Sequence, residues 1–347
     1  MDKQTRVGLI GAGLIGKEHA KYLGIASGVE LAAIADPTPA AQSLAEELGV
    51  PHFSDYEALL DSGLVDAVIV ALPNVMHADA TTSAVARGIV VLVEKPIADS
   101  LEDGRRILEA AEAASVPVLV GHQRRYAPDI AAAKAFIEEG GLGTIVSVAM
   151  LSTWRKPDEY FEVEWRRRVG GGPVLINLIH DIDVMRYLVG DIDSVTAMGS
   201  SAIRGFEVAD TGGALFRFSN GAIGTASFSD AAASPWNWDL TSGSGAYFPP
   251  PPPGDAYFIS GTKASIALPS LTVYEHEEGN HWQVPIRTRT LERRDTNPYI
   301  AQLEHLAAVV RGEAEPVISA RDGFRSLAVA VAVDQSLATS PAVKVEK

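Results

Sequence analysis

The chain of 347 residues contains no cysteine. Disulfide bonds, thiolate nucleophiles and cysteine-ligated metals are therefore excluded. Basic residues are in deficit, because 29 Lys and Arg face 44 Asp and Glu and leave a formal net charge of -15. A chain this acidic is not drawn to nucleic acid or to an anionic membrane by its overall charge. Long hydrophobic runs are also missing, since no stretch reaches the roughly 18 to 20 apolar residues that span a bilayer.

What is present is the composition of a globular protein, with 47% apolar and 21% charged residues. The length suggests two domains, which we place at residues 1–123 and 124–347. The polar N-terminal residues lead directly into a short apolar strand pattern, without the hydrophobic core of a signal peptide. We therefore expect an unprocessed, cytoplasmic protein.

In the first third of the chain, β-rich runs alternate with alanine-rich helical patterns. Strands are predicted at residues 6–10, 29–35, 67–71, 90–94 and 117–121, and helices at 14–26, 39–48, 78–87 and 101–114. That alternation predicts an α/β fold with an N-terminal Rossmann domain, a doubly wound parallel sheet. Alternating patterns at residues 194–200, 213–219 and 222–229, with Asn220-Gly221 between the last two, predict an antiparallel meander in the second domain.

The first predicted strand is followed by a glycine-rich turn, Gly11-Ala12-Gly13-Leu14-Ile15-Gly16. This spacing lets the backbone turn tightly, approach a pyrophosphate and pack a helix against the sheet. A purely structural glycine turn is the alternative, but here the turn opens a helix and Asp36 follows about 20 residues after the last glycine. The predicted dinucleotide-binding residues of the turn are Gly11, Gly13, Leu14, Ile15 and Gly16.

Asp36 also indicates which dinucleotide is bound. A carboxylate at the end of the second strand accepts hydrogen bonds from a ribose diol and repels a 2′-phosphate. The residues that follow it, Pro37, Thr38 and Pro39, bring no positive charge to neutralise such a phosphate. We therefore predict that NAD is preferred over NADP.

Glu94-Lys95-Pro96 ends the strand predicted at residues 90–94. Ligands of open α/β sheets bind outside the carboxyl ends of the strands. A lysine there can hydrogen-bond an oxygen at a reacting carbon and offset the negative charge that develops on it. A surface lysine at a strand end is the alternative that position alone leaves open.

Further motifs extend along the chain: Leu72-Pro73-Asn74 with His77, Gly170-Gly171-Gly172 before His180-Asp181-Ile182-Asp183, and Gly261-Thr262-Lys263. Together with the glycine turn and Glu94-Lys95-Pro96, they resemble the Gfo/Idh/MocA family of oxidoreductases over essentially the whole chain. The resemblance implies an NAD(P)-binding domain followed by an α/β domain with a large open, mainly antiparallel sheet. It also implies association through that sheet as a homodimer or homotetramer, and chemistry on a sugar or polyol hydroxyl or the corresponding ketone.

The resemblance further implies site residues. Lys95 matches the catalytic lysine, and His180 matches the general base toward the substrate hydroxyl, a role that suits imidazole because it titrates near neutral pH. Without the resemblance, His180 would be interpreted as a helix histidine satisfied by a core neighbour. The residues expected along the nicotinamide half of the cofactor are Pro73, Asn74 and Glu94 beside Lys95, with His77 in a packing or hydrogen-bonding role.

The chain departs from the family pattern at Ile176, where many members carry an aspartate four residues before the histidine. An aliphatic side chain can neither orient an imidazole nor accept a proton. In the helix predicted over residues 173–189, Asn177 and Asp183 lie three residues on either side of His180 and near its face. Asn177 is a candidate to bind substrate and Asp183 to orient the ring, although either is alternatively a polar group on the helix surface.

Further substrate candidates lie in and around the second domain. Gln123 and Tyr126 belong to a segment that similar family members place beside the substrate. Trp165-Arg166 resembles a pair that approaches the cofactor in related reductases, and Trp154 and Arg155 suit a carbohydrate or carboxylate-bearing ligand. A solvated basic patch with tryptophans in a satellite core is the alternative for both clusters.

The segment at residues 234–254 is the least regular part of the sequence. We expect a lid in which Trp236, Trp238 and Tyr247 close over a sugar, or alternatively a contact with a neighbouring subunit. The polar run that contains His276, Glu277, Glu278 and His281 lacks the spacing of a zinc motif. It is expected to be a solvated loop, and no metal site is predicted.

These observations favour an NAD-dependent oxidoreductase that transfers hydride between the nicotinamide and a secondary hydroxyl or ketone of a sugar, inositol or related cyclic polyol. A redox-neutral glycoside hydrolase or lyase that uses bound NAD transiently is a second hypothesis. A non-enzymatic dinucleotide sensor on the same fold is a third. The small-molecule substrate itself is not specified by the sequence, because function depends on the site and not on the fold.

Overall fold

The computed structural model describes residues 4–243, 248–277, 281–339 and 343–346. The chain divides into two compact units. The first comprises Met1–Tyr126 and Thr296–Leu327, and the second comprises Ala127–Asp295 and Ala328–Lys347. The division therefore differs from the expected one at residue 123, because a C-terminal segment returns to the first unit.

The first unit is built on a parallel sheet of six strands in the described residues, with the order β3-β2-β1-β4-β5-β6. The strands are β1 (Thr5–Ile10), β2 (Val29–Ala35), β3 (His52–Phe53), β4 (Ala67–Val70), β5 (Val90–Val93) and β6 (Val118–Val120). The helices that follow them are α1 (Leu14–Leu23), α2 (Pro39–Leu48), α3 (Tyr56–Asp61), α4 (His77–Ala86) and α5 (Leu101–Ala114). The doubly wound Rossmann prediction is confirmed, although β3 and α3 were not predicted.

Register places the carboxyl ends of the central strands side by side. Ile10 at the end of β1 pairs with Ala35 of β2 and with Val70 of β4, which in turn pairs with Val93 of β5. All residues of β4 and β5 are buried, as expected for strands covered on both faces. The turns after β1, β2, β4 and β5 therefore emerge along one edge of the sheet.

The second unit contains a sheet of nine described strands with the order β14-β13-β12-β11-β7-β10-β9-β8-β15. Its strands are β7 (Ile145–Thr153), β8 (Ile192–Ser200), β9 (Thr211–Phe218), β10 (Ile223–Ser229), β11 (Tyr257–Gly261), β12 (Ala264–Leu268), β13 (Thr272–His276), β14 (Ile286–Thr290) and β15 (Val343–Lys344). The sheet is mainly antiparallel, as predicted, and β7 with β10 forms a parallel pair. Asn220 and Gly221 connect β9 to β10, with Gly221 at φ 90 in the turn.

The helices of the second unit are α6 (Pro128–Glu138), α7 (Ile179–Leu188) and α8 (Trp238–Ser242). The helix predicted over residues 173–189 is not α-helical throughout, because Val174–Leu178 forms a π-helix ahead of α7. The backbone N–H of Ile179 accordingly donates to the carbonyl oxygen of Val174, five residues back. Side chains three residues apart therefore turn through a different angle from the one that the α-helical prediction assumed.

Two C-terminal helices complete the fold. α9 (Pro298–Val310) belongs to the first unit, and α10 (Ala320–Thr339) begins in the first unit and ends in the second. Leu303 and Leu306 of α9 are buried in one apolar cluster with Leu23 of α1 and Val29 of β2. This packing explains why α9 returns to the first unit. None of the helices in the described residues is long and apolar enough to cross a membrane.

Candidate functional site

The glycine turn after β1 is constrained at two of its three glycines. Gly11 has φ 93, and a Cβ there would lie 2.6 Å from the carbonyl oxygen of Ala71. A Cβ at Gly16 would lie 2.1 Å from the carbonyl oxygen of Gly11. At Gly13 a Cβ would meet nothing within 4 Å. Gly11 and Gly16 are thus required by the fold, whereas Gly13 leaves open space of the kind that a pyrophosphate occupies.

The N-terminus of α1 is suited to receive phosphate. Gly13 caps the helix without a side-chain hydrogen bond, and the first turn holds no acidic residue. The first backbone N–H groups and the positive end of the helix dipole are therefore available to an anion. Leu14 and Ile15 are exposed at this turn. The residues present therefore fit a dinucleotide.

Asp36 is fixed against the same turn. Its Oδ2 accepts a hydrogen bond from the backbone N–H of Ala12 at 2.9 Å, and its Oδ1 accepts from the N–H and hydroxyl of Thr38 at 2.8 and 2.6 Å. Burial raises the pKa of Asp36, but these hydrogen bonds outweigh burial and hold the pKa below its usual range. Asp36 is therefore an ionised, oriented acceptor directly after β2.

His77 connects the turns that follow β4 and β5. Its Nδ1 lies 2.9 Å from the carbonyl oxygen of Pro96, and its Nε2 lies 2.9 Å from that of Leu72. The ring is buried, and burial lowers the pKa of His77. His77 thus positions the two turns, in keeping with the expected hydrogen-bonding role. Pro73 is exposed and Asn74 is half-buried at the same sheet edge.

Glu94 pairs with a histidine from the first helix. Its Oε1 lies 2.8 Å from Nε2 of His19, its Oε2 accepts from the backbone N–H of Lys95 at 3.2 Å, and a Cβ at Gly121 would lie 2.8 Å from its Cδ. Burial raises the pKa of Glu94, but the bond to His19 and the charges of His19 and Lys95 outweigh burial and lower it. The ionised Glu94 therefore lies next to Lys95, whose peptide bond to Pro96 is cis. Its carboxylate faces His19.

Gln123 and Tyr126 lie in a 3-10 helix of the first unit, Gln123–Tyr126. The Nε2 of Gln123 is 3.5 Å from the hydroxyl of Tyr299, at the limit of a hydrogen bond. The ring of Tyr126 lies 5.7 Å from that of His305. Both candidate side chains are half-buried, so each retains surface with which a ligand can make contact.

In the second unit, His180 is the second residue of α7, a helix that is buried at every residue except Tyr187. The next residue, Asp181, accepts a hydrogen bond from Oγ of Ser152 at 2.7 Å and another from the hydroxyl of Tyr257. The indole of Trp238 stacks on Tyr257 with ring centroids 5.5 Å apart. This network anchors α7 to β7 and β11, and so positions His180. Asp183 is also buried.

The residues before His180 include Ile176 and Asn177, both half-buried in the π-helix. The Oδ1 of Asn177 accepts a hydrogen bond from Nζ of Lys156 at 2.5 Å. Lys156 is buried, and its Nζ lies 4.5 Å from the ring centroid of Tyr160. The polar side chain nearest in sequence to the missing aspartate is therefore paired with a buried lysine.

The aromatic and basic residues at positions 154–155 and 165–166 are partly half-buried and partly exposed. Arg166 donates to the carbonyl oxygen of Tyr160 at 2.7 Å, and its Cζ lies 4.0 Å from the Tyr160 ring centroid. Trp165 and Arg155 are exposed. These candidate residues therefore form neither a fully solvated basic patch nor a fully buried satellite core. Trp154 is half-buried with its ring 5.8 Å from that of Phe248, and Trp236 is exposed.

The irregular segments differ from the sequence expectations at Trp238. Trp238 does not close over a ligand, because it is 1% exposed and stacks in the core as the first residue of α8. Tyr247 and Glu278 lie outside the described residues. Within the described residues, no group of three or more histidine and acidic side chains could hold a metal ion. Nδ1 of His276 instead lies 3.1 Å from the carbonyl oxygen of Val284.

Lys156, Tyr160 and Tyr257 were not among the predicted site residues. Lys156 directly follows Trp154 and Arg155 in the sequence, and this adjacency was the available signal. Tyr257 carries no sequence signal, because its hydroxyl reaches Asp181 from a strand 76 residues later in the chain.

Comparisons with known proteins match both parts of the chain. Residues 5–122 match the oxidoreductase family with an NAD-binding Rossmann fold, and residues 130–267 match the GFO/IDH/MocA C-terminal domain. The chain is 28% identical to scyllo-inositol 2-dehydrogenase (NAD(+)) of Bacillus subtilis, over 100% of this chain and 98% of that protein. It is 32% identical to the rhizopine catabolism protein MocA of Rhizobium meliloti over 53% of this chain, and this match spans 57% of that protein.

Two further matches bear on the chemistry. The 2,7-anhydro-N-acetylneuraminate hydratase of Escherichia coli is 29% identical over 75% of this chain and 66% of that protein. The structure of the WlbA dehydrogenase from Bordetella pertussis in complex with NADH and UDP-GlcNAcA is 26% identical, with a TM-score of 0.79 over 99% of this chain and 100% of that one. The two family matches, the Rossmann unit with its glycine turn and the retained Lys95 and His180 agree with one another. The chain therefore belongs to the Gfo/Idh/MocA family of NAD(P)-dependent oxidoreductases.

Proposed function

We propose that this protein transfers hydride between the nicotinamide of NAD and a secondary hydroxyl or ketone of a sugar, inositol or related cyclic polyol. The observation that carries the proposal is the retention of the two proton-handling groups. Lys95 stands at the end of β5 beside the ionised Glu94, and His180 stands at the start of α7, which the Asp181 network anchors. The whole-length match to a scyllo-inositol dehydrogenase supports the substrate class.

NAD is the proposed cofactor in preference to NADP. Asp36 is ionised and held by Ala12 and Thr38, so a 2′-phosphate placed near it meets a fixed negative charge. Neither of the two residues that follow Asp36, Pro37 and Thr38, offers a positive charge in compensation. The repulsive element against NADP is thus part of the same hydrogen-bonded turn that receives NAD.

The residues of the chain would divide the work of the reaction. When bound, NAD would supply the acceptor for the hydride of the carbinol carbon. The N-terminus of α1 would hold its pyrophosphate, and Asp36 would hold its ribose. Lys95 donates a hydrogen bond to the reacting oxygen and offsets its developing charge, and His180 accepts the hydroxyl proton. Trp165 and Arg166 are proposed cofactor contacts, and Gln123, Tyr126, Trp154, Arg155, Asn177 and Trp236 are proposed substrate contacts.

The test is NADH formation, followed by absorbance at equal concentrations of NAD and NADP with a panel of inositols, aldoses, anhydrosugars and glycosides. We expect turnover confined to one polyol class and faster with NAD. Equal turnover with NADP would overturn the cofactor proposal alone. Absence of NADH with every compound, although NAD binds, would overturn the dehydrogenase proposal.

A redox-neutral hydrolase or lyase is the second candidate, and a specific observation favours it. Ile176 removes a carboxylate that many dehydrogenases of the family carry, and one relative is a hydratase. This candidate predicts cleaved or hydrated product without net NADH, which product analysis of the same panel detects. A non-enzymatic dinucleotide sensor predicts neither, and the retained Lys95 and His180 disfavour it.

We also propose a homodimer or homotetramer formed through the sheet of the second unit. Met198, Leu215, Ile223, Phe258 and Tyr274 are exposed on its strands. Register places Phe258 opposite Ala149, Ala149 opposite Thr225, and Thr225 opposite Leu215, so these residues lie in one row on one face. An apolar row of this kind is typical of a subunit interface.

A further inference from the structure

Lys156 is a buried lysine that the proposed chemistry does not yet use. Its side chain is 5% exposed, and an ammonium removed from water to this degree needs compensating partners. Its described partners include Oδ1 of Asn177 at 2.5 Å, the faces of two aromatic rings, Tyr160 at 4.5 Å and Trp154 at 5.6 Å, and the charge of Asp230. The main chain of Lys156 is also tied, because its N–H donates to the carbonyl oxygen of Asp230 at 2.9 Å.

This contact decides which way the amide of Asn177 faces. A lysine ammonium carries only donors, so the atom that it meets must be the carbonyl oxygen and not the amide nitrogen. The Nδ2 of Asn177 is then directed elsewhere. No described residue accepts a hydrogen bond from it, and it is not among the fully buried polar atoms. A strong donor, polarised by a neighbouring positive charge, is therefore open to a ligand three residues before His180.

The same contact explains why a carboxylate is not needed at residue 176. An aspartate there would present an acceptor, which binds a substrate hydroxyl through the proton of that hydroxyl. Asn177 presents a donor, which binds an oxygen lone pair and leaves the hydroxyl proton to another base. The pair Lys156 and Asn177 therefore changes the polarity of the hydrogen bond that this part of the site makes with substrate.

We propose that Asn177 binds a substrate oxygen through Nδ2, and that Lys156 is the positioning residue that holds its amide in the donating orientation. This inference rests on the proposed function for the presence of a sugar or polyol substrate. The ligand group that Asn177 binds is an acceptor oxygen next to the reacting carbon. A carbonyl, a carboxylate or the lone pair of a hydroxyl supplies such an oxygen. His180 alone is then the group that accepts the substrate proton.

A double-mutant cycle on kcat/KM tests the proposal with the panel compound that turns over fastest. Asn177→Ala should raise KM about tenfold with a smaller effect on kcat, because an uncharged hydrogen bond in a closed site is lost. Lys156→Met should raise KM similarly in the wild-type background but have little further effect in Asn177→Ala. Additive effects of the two substitutions would overturn the positioning role, and an unchanged KM in Asn177→Ala would overturn the substrate contact.

Controls separate positioning from folding. Lys134→Met removes a lysine that also lies over a tyrosine ring, Tyr187 at 4.8 Å, in the second unit, and it should leave KM unchanged. Lys156→Arg keeps a donor-only cation and should therefore give a KM between the values of wild type and Lys156→Met. If Lys156→Met does not fold, the KM values of Asn177→Ala and Asn177→Asp test the substrate contact without it. Asn177→Asp exchanges the donor for an acceptor and should also raise KM.

A binding measurement tests the Asn177 contact separately from the proposed reaction. Calorimetric titration of each panel compound into the NAD-loaded protein measures binding without turnover. Weaker binding to Asn177→Ala than to wild type supports the contact even if no NADH forms. Equal binding to both proteins overturns it, whichever reaction the wild-type protein catalyses.

Discussion

At the scale of single residues, the carboxylate of Asp36 is held against the glycine turn that follows β1. Asp36 is held by two backbone N–H groups and one hydroxyl, so its orientation is set before any ligand binds. Fixing an acceptor in advance removes the ordering cost that a flexible carboxylate would incur on binding. The same fixed charge that attracts a diol repels a phosphate, which links affinity to selectivity.

We therefore expect Asp36→Ala to weaken NADH binding by roughly 10- to 100-fold, because a hydrogen bond to a charged group is lost. NADPH binding should weaken less or improve, since the repulsive charge is removed. Calorimetric titration with both cofactors measures the ratio. Thr38→Val removes one hydrogen bond to the carboxylate and should give an intermediate NADH affinity; equal loss for both cofactors would contradict the ribose contact.

Lys95→Ala should abolish turnover while leaving NAD affinity little changed, because the ammonium is assigned to the reacting oxygen and not to the phosphates. Initial rates and a parallel binding titration measure the two effects separately. Lys21→Ala is the matched control, since Lys21 is exposed in α1 of the same unit. Turnover of Lys95→Ala at the wild-type rate would show that another group stabilises the oxygen.

Much of the glycine turn could be predicted at this scale, because Gly11 and Gly16 act through local backbone geometry, and Asp36 could be predicted because its spacing from the turn is part of a known sequence motif. The pairs His19 with Glu94 and Lys156 with Asn177 could not be predicted. Their members are 75 and 21 residues apart, and only the packed fold brings them within hydrogen-bond distance. Adjacency in sequence predicted Asn177 as a candidate but not the orientation of its amide.

At the scale of elements, the turn between β1 and α1 separates structural from ligand-related glycines. Gly16→Ala should destabilise the protein by about 2 kcal/mol or more, because its Cβ would overlap the carbonyl oxygen of Gly11 at 2.1 Å. Gly13→Ala should leave the melting temperature nearly unchanged, because its Cβ meets nothing and its φ of -69 suits alanine. Thermal unfolding and NADH titration of both variants check this contrast. A Gly13→Ala protein with wild-type NADH affinity would remove Gly13 from the proposed cofactor contacts.

α10 carries a carboxyl group that the fold leaves without compensation. Burial raises the pKa of Asp334 to about 7, from 3.8 when unfolded, and no described residue bonds to it. Between these two values the folded protein holds a proton that the unfolded chain has lost. The free energy of unfolding should therefore fall as the pH rises from about 4 to about 7, and stay constant above that range as far as this group is concerned.

Asp334→Asn should remove that pH dependence. At pH 8 the variant should be more stable than wild type by at most about 4 kcal/mol, the free energy equivalent of the difference between the two pKa values. Urea unfolding at pH 5 and pH 8 measures the change for both proteins. A variant less stable than wild type at pH 8 would show that the carboxylate makes a favourable interaction.

The elements themselves were predicted unevenly, for a physical reason. α2 and α5 begin and end at the predicted residues, because their caps are local: Thr38 and Ser100 each accept a hydrogen bond from the first turn of the helix. The π-helix Val174–Leu178 was missed, because hydrophobic spacing does not distinguish it from the α-helix that it continues. Strands β11 to β14 were also missed, because each is only 5 residues long and the strand preference of so short a run depends on its packing context.

At the scale of the whole molecule, the exposed row on the second sheet leads to a prediction about assembly. Leu215→Arg places a charge at the opposite end of the row from Phe258. It should shift the protein to a smaller species in sedimentation velocity without a large loss of thermal stability of the subunit. Ile203→Arg is the control, because Ile203 is similarly exposed but lies outside the strands. An unchanged sedimentation coefficient for Leu215→Arg would exclude this face as the interface.

The return of α9 to the first unit has a consequence for the order in which the molecule is made. Tyr126 emerges from the ribosome long before Thr296 is synthesised, and the intervening residues belong to the other unit. At about 5 to 20 residues per second, the nascent N-terminal unit waits roughly 10 to 30 s for α9. Throughout that interval the surface around Leu23 and Val29 lacks Leu303 and Leu306, so a chaperone-accessible apolar patch persists until α9 has been synthesised.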